Sequence, residues 1–311
     1  VSAMNLISTR RRTLVLALLA IFGLTLVLSG TASADLLTPE DGGSPNADKI
    51  DDLYKFVLVI AVIIFVVVEG ALFYSIYKYR ARKGAVAAQI HGNTRLEIGW
   101  TAGAAAILVV LAVLTFVQLG DIRNPENSGP NGLPLADGVQ TASVTKRLPP
   151  NGKSLNIEVN GQQYVWRYTY NGDNDGNPLN DPFAYEEMVV PTDTTVTLDI
   201  RAQDVAHSWW IPALGGKFDA VPGYTNHTWF KISKPGVYTG QCAELCGRNH
   251  ANMTARVRAV PPAEYERWIA QQTTAIQDAN KAAQVKRRQV ESELSGDSAA
   301  AGSGASTTEM P

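Results

Sequence analysis

From Gln241 the chain reads Gln-Cys-Ala-Glu-Leu-Cys-Gly-Arg-Asn-His-Ala-Asn-Met, which sets Cys242, Cys246, His250 and Met253 in one short stretch. Thiolate, imidazole and thioether are soft or borderline metal donors. Together they suit copper in electron-transfer sites, whereas a structural zinc site would want a second Cys or His pair and has no use for Met. Both cysteines of the protein lie in this stretch, and of its four histidines His207 and His250 are the ones such a site needs. The competing reading is a disulfide between Cys242 and Cys246 in an oxidising compartment. It leaves the downstream His-x-x-Met unexplained.

The pattern Cys-x-Glu-x-Cys-x-x-x-His-x-x-Met, preceded by Asp204-Val205-Ala206-His207-Ser208-Trp209, resembles the binuclear copper (CuA) site of cytochrome c oxidase subunit II. A mononuclear blue-copper site shows one cysteine with two histidines and a methionine, so the second cysteine is the discriminating feature. Two thiolates can bridge two copper ions that share one electron, and bond lengths then shift little on reduction. The resemblance implies that His207 and Met253 serve one ion and that His250 and the Glu244 backbone carbonyl serve the other, with Cys242 and Cys246 bridging. It also implies a magnesium ion at the contact with subunit I, bound through the Glu244 carboxylate, a hard oxygen ligand. The plain alternative is a solvated loop carboxylate.

These ligands need export and an anchor. Residues 1–34 read as a signal peptide: Arg10-Arg11-Arg12, an apolar run from Leu14 to Leu28, then Ala32-Ser33-Ala34 before Asp35. Residues 35–120 follow as an N-terminal segment with two membrane spans, about 56–76 and 98–119. Between the spans lie Lys78, Arg80, Arg82, Lys83 and Arg95, with Glu97 the sole acid before the second span. The positive-inside rule makes this connector cytoplasmic and puts everything after residue 120 on the outer side of a bacterial cell membrane. Glu69 lies well inside the first span, where a charge is tolerated facing a protein partner or in its neutral form. Thr94-x-x-Glu97 is a capping box for the second span. The stretch His91 to Thr101, with Glu97 ahead of Trp100-Thr101, also resembles subunit II, where the acid marks the cytoplasmic mouth of a proton path into subunit I.

Residues 121–152, rich in Pro, Gly and Asn, form a long connector suited to a partner surface. From Leu155-Asn156-Ile157-Glu158-Val159 onward the pattern turns to short alternating runs, such as Thr195–Ile200 and Ala255–Val260, separated by Asn171-Gly172 and Pro235-Gly236. An antiparallel sandwich over 153–262 follows, so the expected fold is a two-helix transmembrane hairpin followed by an all-β cupredoxin-like sandwich domain. Residues 263–311 read as a helix to about Val290 and then a Ser, Gly and Ala-rich disordered tail.

Gln162–Tyr170 is similar to the aromatic segment of subunit II over the copper site, which makes Tyr164 and Trp166 the residues for electron transfer from cytochrome c. Tyr164 stands where many members have Trp. Alternation also gives Tyr164, Trp166, Tyr168 and Tyr170 one shared face, the pattern of strand core. Asp173, Asp175 and Asp181 would steer a basic donor, and equally suit an ordinary turn. The tyrosine at 164 and the long 121–152 connector suggest a donor cytochrome held in a stable complex. A formal charge of −2 argues against nucleic acid as a partner. The resemblance thus implies a respiratory oxidase subunit that takes electrons from cytochrome c and passes them to haem in subunit I, where oxygen is reduced and protons are pumped. Its partners are subunit I, other oxidase subunits and membrane lipid. A quinol oxidase subunit II lacks these ligands, a copper carrier needs exchangeable ones, and a nitric oxide reductase with a similar centre stays open.

Overall fold

The structure, a computed structural model, describes residue 38 and residues 42–81, 84, 86, 89–135, 148–170 and 180–302. The unit Val1–Glu40, and with it the expected signal peptide, falls outside these save for residue 38. So do Arg82, Lys83, Asp173, Asp175 and residues 303–311.

Two helices open the described chain. Helix α1, Pro45–Lys78, has 34 residues, and α2, Thr94–Arg123, has 30. At the usual rise each is longer than the roughly 30 Å hydrocarbon layer, so both project beyond it. Their apolar side chains are exposed all round, including Phe65, Val67, Phe73, Leu108 and Phe116, and no polar stripe offers a face to water. That surface belongs to lipid or to apolar partners. Glu69 is partly buried where the residues before it are exposed.

Helix α1 begins at Pro45, whose missing N–H costs nothing there. Ser44 precedes it and does not cap the helix with its side chain. Its hydroxyl donates to Asn46 Oδ1 at 2.5 Å and accepts the Lys231 N–H at 3.0 Å. Asn46 Nδ2 donates to the carbonyls of Trp229 and Leu214 at 2.9 and 3.3 Å. The membrane helix is therefore stitched to the soluble domain at its first turn. The cap of α2 differs from the expected one. Asn93, not Thr94, is the N-cap: its Oδ1 accepts the Leu96 N–H and its own N–H donates to Glu97 Oε1, both at 3.2 Å. Asn outranks Thr at this position, and the reciprocal bond reaches Glu97 one residue further on.

The soluble domain is a sandwich of two five-stranded sheets. The strands are β1 (Leu155–Gln162), β2 (Val165–Tyr170), β3 (Phe183–Tyr185), β4 (Glu187–Pro191), β5 (Thr195–Ala202), β6 (His207–Trp210), β7 (Phe218–Ala220), β8 (Asn226–Lys231), β9 (Gly236–Cys242) and β10 (Thr254–Val260). One sheet has the order β3-β2-β1-β5-β8 and the other β4-β10-β9-β6-β7. The expectation of an all-antiparallel sandwich needs correction, because β1 pairs with β5 and β4 with β10 in parallel. Each parallel pair joins strands separated by a long connection, which parallel pairing requires. Alternation fills the core: Ile157, Val159, Val196, Leu198 and Ile200 from one sheet face Met188, Val190, Ala255, Val257 and Ala259 from the other, all buried.

Helix α3, Pro262–Gly302, runs past Val290 through residues expected to lack structure. Good helix formers such as Ala, Glu, Gln, Lys and Arg dominate its length. Its first turns dock on the sandwich through Tyr265 and Trp268, whose rings lie 6.4 and 5.0 Å from that of Tyr170. The start of the 121–152 connector docks too. Thr195 donates its hydroxyl to the Glu126 carbonyl and its N–H to Ser128 Oγ, and Gly129 N–H reaches the Asp193 carbonyl. Residues 136–147 of that connector lie outside the described residues.

Candidate metal centre

One end of the second sheet gathers the donors. His207 opens β6, Cys242 closes β9, and Met253 immediately precedes β10. The ladder fixes their neighbourhood: Trp209 pairs with Cys242, Thr254 pairs with Gln241, and the Cys242 N–H donates to the Met253 carbonyl at 2.9 Å. The intervening loop carries Cys246 and His250, and the Ala243 N–H ties it to the Ser208 carbonyl at 2.8 Å.

The side chains converge. Cys242 Sγ lies 3.9 Å from Cys246 Sγ and 3.9 Å from His207 Nδ1. Cys246 Sγ lies 3.6 Å from His250 Nδ1 and 3.9 Å from Met253 Sδ. The Glu244 carbonyl oxygen is 3.3 Å from Cys242 Sγ. Ligand atoms sharing a metal at roughly 2.0–2.3 Å stand about 3.5 Å apart, so these separations are those of a ligand set. A disulfide needs roughly 2.05 Å, and both thiols are free. His207, Cys242, Cys246 and Met253 are each at most 4% exposed, while Glu244 is exposed.

Neighbours aim the ligands. Asp204 Oδ1 holds His207 Nε2 at 2.9 Å, which turns Nδ1 toward the thiols, the arrangement that fixes an imidazole for metal binding. Asp204 is itself held by the N–H groups of Gln163 and Val205, each at 2.7 Å. Trp166 meets the His207 ring edge-on at 5.8 Å and 65°. Gly161 makes room for both rings, since a Cβ there would fall 3.0 Å from His207 Cδ2 and 3.1 Å from Trp166 Cζ3. Gly247 is needed twice over: its φ is +136°, and a Cβ would lie 2.6 Å from the Tyr164 hydroxyl. Gln163 Nε2 donates to the Cys246 carbonyl at 2.7 Å, so the β1–β2 turn lies against the ligand loop.

Charge follows from this geometry. Burial raises the Cys242 thiol, but hydrogen bonds from His207 and nearby groups outweigh it and bring it down to about 6. Burial and then the adjacent Cys242 thiolate push Cys246 up to about 11. The two share one negative charge at neutral pH. Burial depresses His207, yet its bonds to Cys242 and Asp204 prevail and its value is raised. Burial raises Asp204, and bonds from His207, Gln163 and Val205 bring it below the usual carboxylate range. A buried, anionic sulfur and imidazole pocket fits copper by donor type.

The remaining candidate residues fall elsewhere or differ from expectation. Trp166 has no exposed surface, because β2 alternation turns it into the core, so it makes no direct contact with an incoming protein. Tyr164 sits in the β1–β2 turn, partly buried and packed against the edge of the core that Trp166, Tyr168 and Tyr170 enter. Glu97 opens α2, roughly 38 Å along the helix axis from Ile122 at its sandwich end. Residue type alone does not mark Asp204, Gln163, Gly161 or Gly247; the one local signal is the Asp three residues before His207.

Fold and site define a class: a protein with two apolar helices and a cupredoxin-like sandwich that carries a buried sulfur and imidazole ligand set suited to copper. Residues 183–260 match the family described as cytochrome c oxidase subunit II, periplasmic domain, and residues 33–117 match its transmembrane domain. Cytochrome c oxidase subunit 2 of Alkalihalophilus pseudofirmus is 34% identical over 269 residues, covering 86% of this chain and 71% of that protein. The probable cytochrome c oxidase subunit 2 of Rickettsia bellii is 33% identical over 270 residues, covering 81% and 91%. The solved periplasmic domain of subunit II (CoxB) of Bradyrhizobium japonicum is 33% identical, covering 40% of this chain and 97% of that one, with a TM-score of 0.36. The chain belongs to the cytochrome c oxidase subunit II family.

Proposed function

We propose that this chain accepts electrons one at a time from a cytochrome c and delivers them to haem in subunit I of the oxidase, where oxygen reduction is coupled to proton pumping. His207, Cys242, Cys246, His250, Met253 and the Glu244 carbonyl would hold two copper ions, which supply a one-electron couple shared between two metals. The observation that carries this reading is the convergence of both thiols, both imidazole Nδ1 atoms and the thioether at 3.6–3.9 Å. The protein's own part is rigidity. Two strands, a short loop and the Asp204 bond hold the ligands, so little has to move when the charge changes. Burial excludes water and argues against an exchangeable copper carrier.

Three finer assignments accompany it. Tyr164, beside the ligand loop, receives the donor; the Glu244 carboxylate, exposed beside Cys242, binds magnesium at subunit I; and Glu97, at the far end of α2, admits protons from the inner side. The donor is a cytochrome held in a stable complex, for which turnover with added soluble cytochrome c would be slow and weakly dependent on salt. Fast, steeply salt-dependent turnover would contradict it. Copper analysis and electron paramagnetic resonance of the full chain in detergent test the main reading. Two coppers per chain, with one electron's hyperfine pattern spread equally over both nuclei, are expected; one copper with ordinary mononuclear splitting would overturn the binuclear relay.

A further inference from the structure

A cavity of about 330 Å³ lies where the two membrane helices meet the sandwich. Ile50 from α1, Ile122 and Arg123 from α2, and Phe218, His227 and Trp229 from the domain line it. Ile50 precedes the apolar run that starts at Phe56 by roughly 9 Å of helix, and Arg123 follows Leu119 by roughly 6 Å. The headgroup layer on each side of a bilayer is about as deep. The cavity thus opens at the level of lipid headgroups on the outer side.

Its chemistry is that of an amphiphile. Aliphatic and aromatic walls come from both helices and the domain, and no carboxylate is among the residues that line it. Among the described residues, none makes a hydrogen bond or ion pair with the Arg123 side chain. His227 donates Nδ1–H to Asp199 Oδ1 at 2.7 Å, and Asp199 Oδ2 accepts from Asn156 at 3.1 Å. This fixes the ring and leaves Nε2, unpartnered among the described residues, as an acceptor in the neutral form. The geometry points to a binding site for one anionic glycerophospholipid of the outer leaflet, its phosphate on Arg123, its headgroup hydroxyl on His227 Nε2, and its glycerol backbone against Ile50 and Ile122, from where the acyl chains enter the hydrocarbon layer. The lipid would brace the joint between helices and sandwich, beside the bonds that Asn46 and Trp229 already make there.

Native mass spectrometry of the full chain, released from nanodiscs of phosphatidylcholine with added phosphatidylglycerol, tests this. One phosphatidylglycerol per chain should be retained. Arg123→Gln should lower retention roughly fivefold, the worth of one basic residue against an anionic leaflet, and Arg123→Lys should keep most of it. Soluble glycerol phosphate should not displace the lipid. Equal retention by Arg123→Gln, or displacement by glycerol phosphate or inorganic phosphate, would overturn the proposal; the latter would indicate a free-anion site. So would a photo-crosslinker at Phe218 that, in the assembled oxidase, captured a protein chain instead of lipid.

Discussion

At the scale of single residues, the second layer around the ligands does as much as the ligands. Asp204 orients His207, and its bond to Nε2 leaves Nδ1 as the only ring nitrogen facing Cys242. Asp204→Asn keeps the shape and loses the charge, so copper affinity should fall by roughly 10–100-fold, read by competition with a chelator. Gly161→Ala should cost about 1–3 kcal/mol in urea unfolding of the full chain, because its methyl meets His207 and Trp166 and neither ring has space to retreat. The thiols give a pH signature in metal-free protein. Cys242 ionises more readily folded than unfolded, so its contribution to stability is lost as pH falls through about 6. Cys246 ionises less readily when folded, so its contribution is lost as pH rises toward about 11. Unfolding midpoints against pH should fall on both sides, and Cys242→Ser should remove the part of the acidic fall near pH 6 while leaving that of Asp204 at lower pH.

Among the elements, the joints matter most. Tyr170 closes a gap between strands: its hydroxyl donates to the Val189 carbonyl at 2.9 Å and accepts the Val189 N–H at 2.7 Å. Tyr170→Phe would strand two buried backbone groups in β4 and should cost about 1–3 kcal/mol, seen as a lowered unfolding midpoint. The same ring anchors α3 through Trp268, and Arg258 ties β10 to β4 through Glu187 at 2.8 Å. The connector after α2 is held by Thr195 and by Lys231, which reaches Glu126 Oε2 at 2.8 Å. Loss of the Thr195 hydroxyl in Thr195→Val should speed proteolysis within residues 121–135 while leaving the copper spectrum unchanged.

For the whole molecule, the division of surfaces follows its two solvents. The helices expose hydrocarbon all round, and the sandwich buries most of its apolar residues between sheets, with Tyr185, Tyr224 and Val237 left exposed. Leu245 is the conspicuous exception in the ligand loop, 77% exposed. With the domain outside and the 79–93 connector inside, trypsin added to sealed right-side-out vesicles should remove the sandwich and spare that connector. Cleavage of the connector before detergent is added would reverse the topology.

Much of the candidate metal site is legible in the sequence because its chemistry is local: Cys242, Cys246, His250 and Met253 lie within one short stretch, and donor softness points to copper. The two spans were equally plain, since length and apolarity answer directly to bilayer thickness. Strand pairing decided the rest. His207 lies 35 residues from Cys242 and reaches it only because β6 pairs with β9. Burial of Trp166, the shift of the α2 cap to Asn93, the parallel pairs and the clearance at Gly161 also depended on packing. Side-chain type sets which atoms can bind a metal, whereas distance, burial and steric room between residues far apart in the chain exist only once the two sheets have closed on each other.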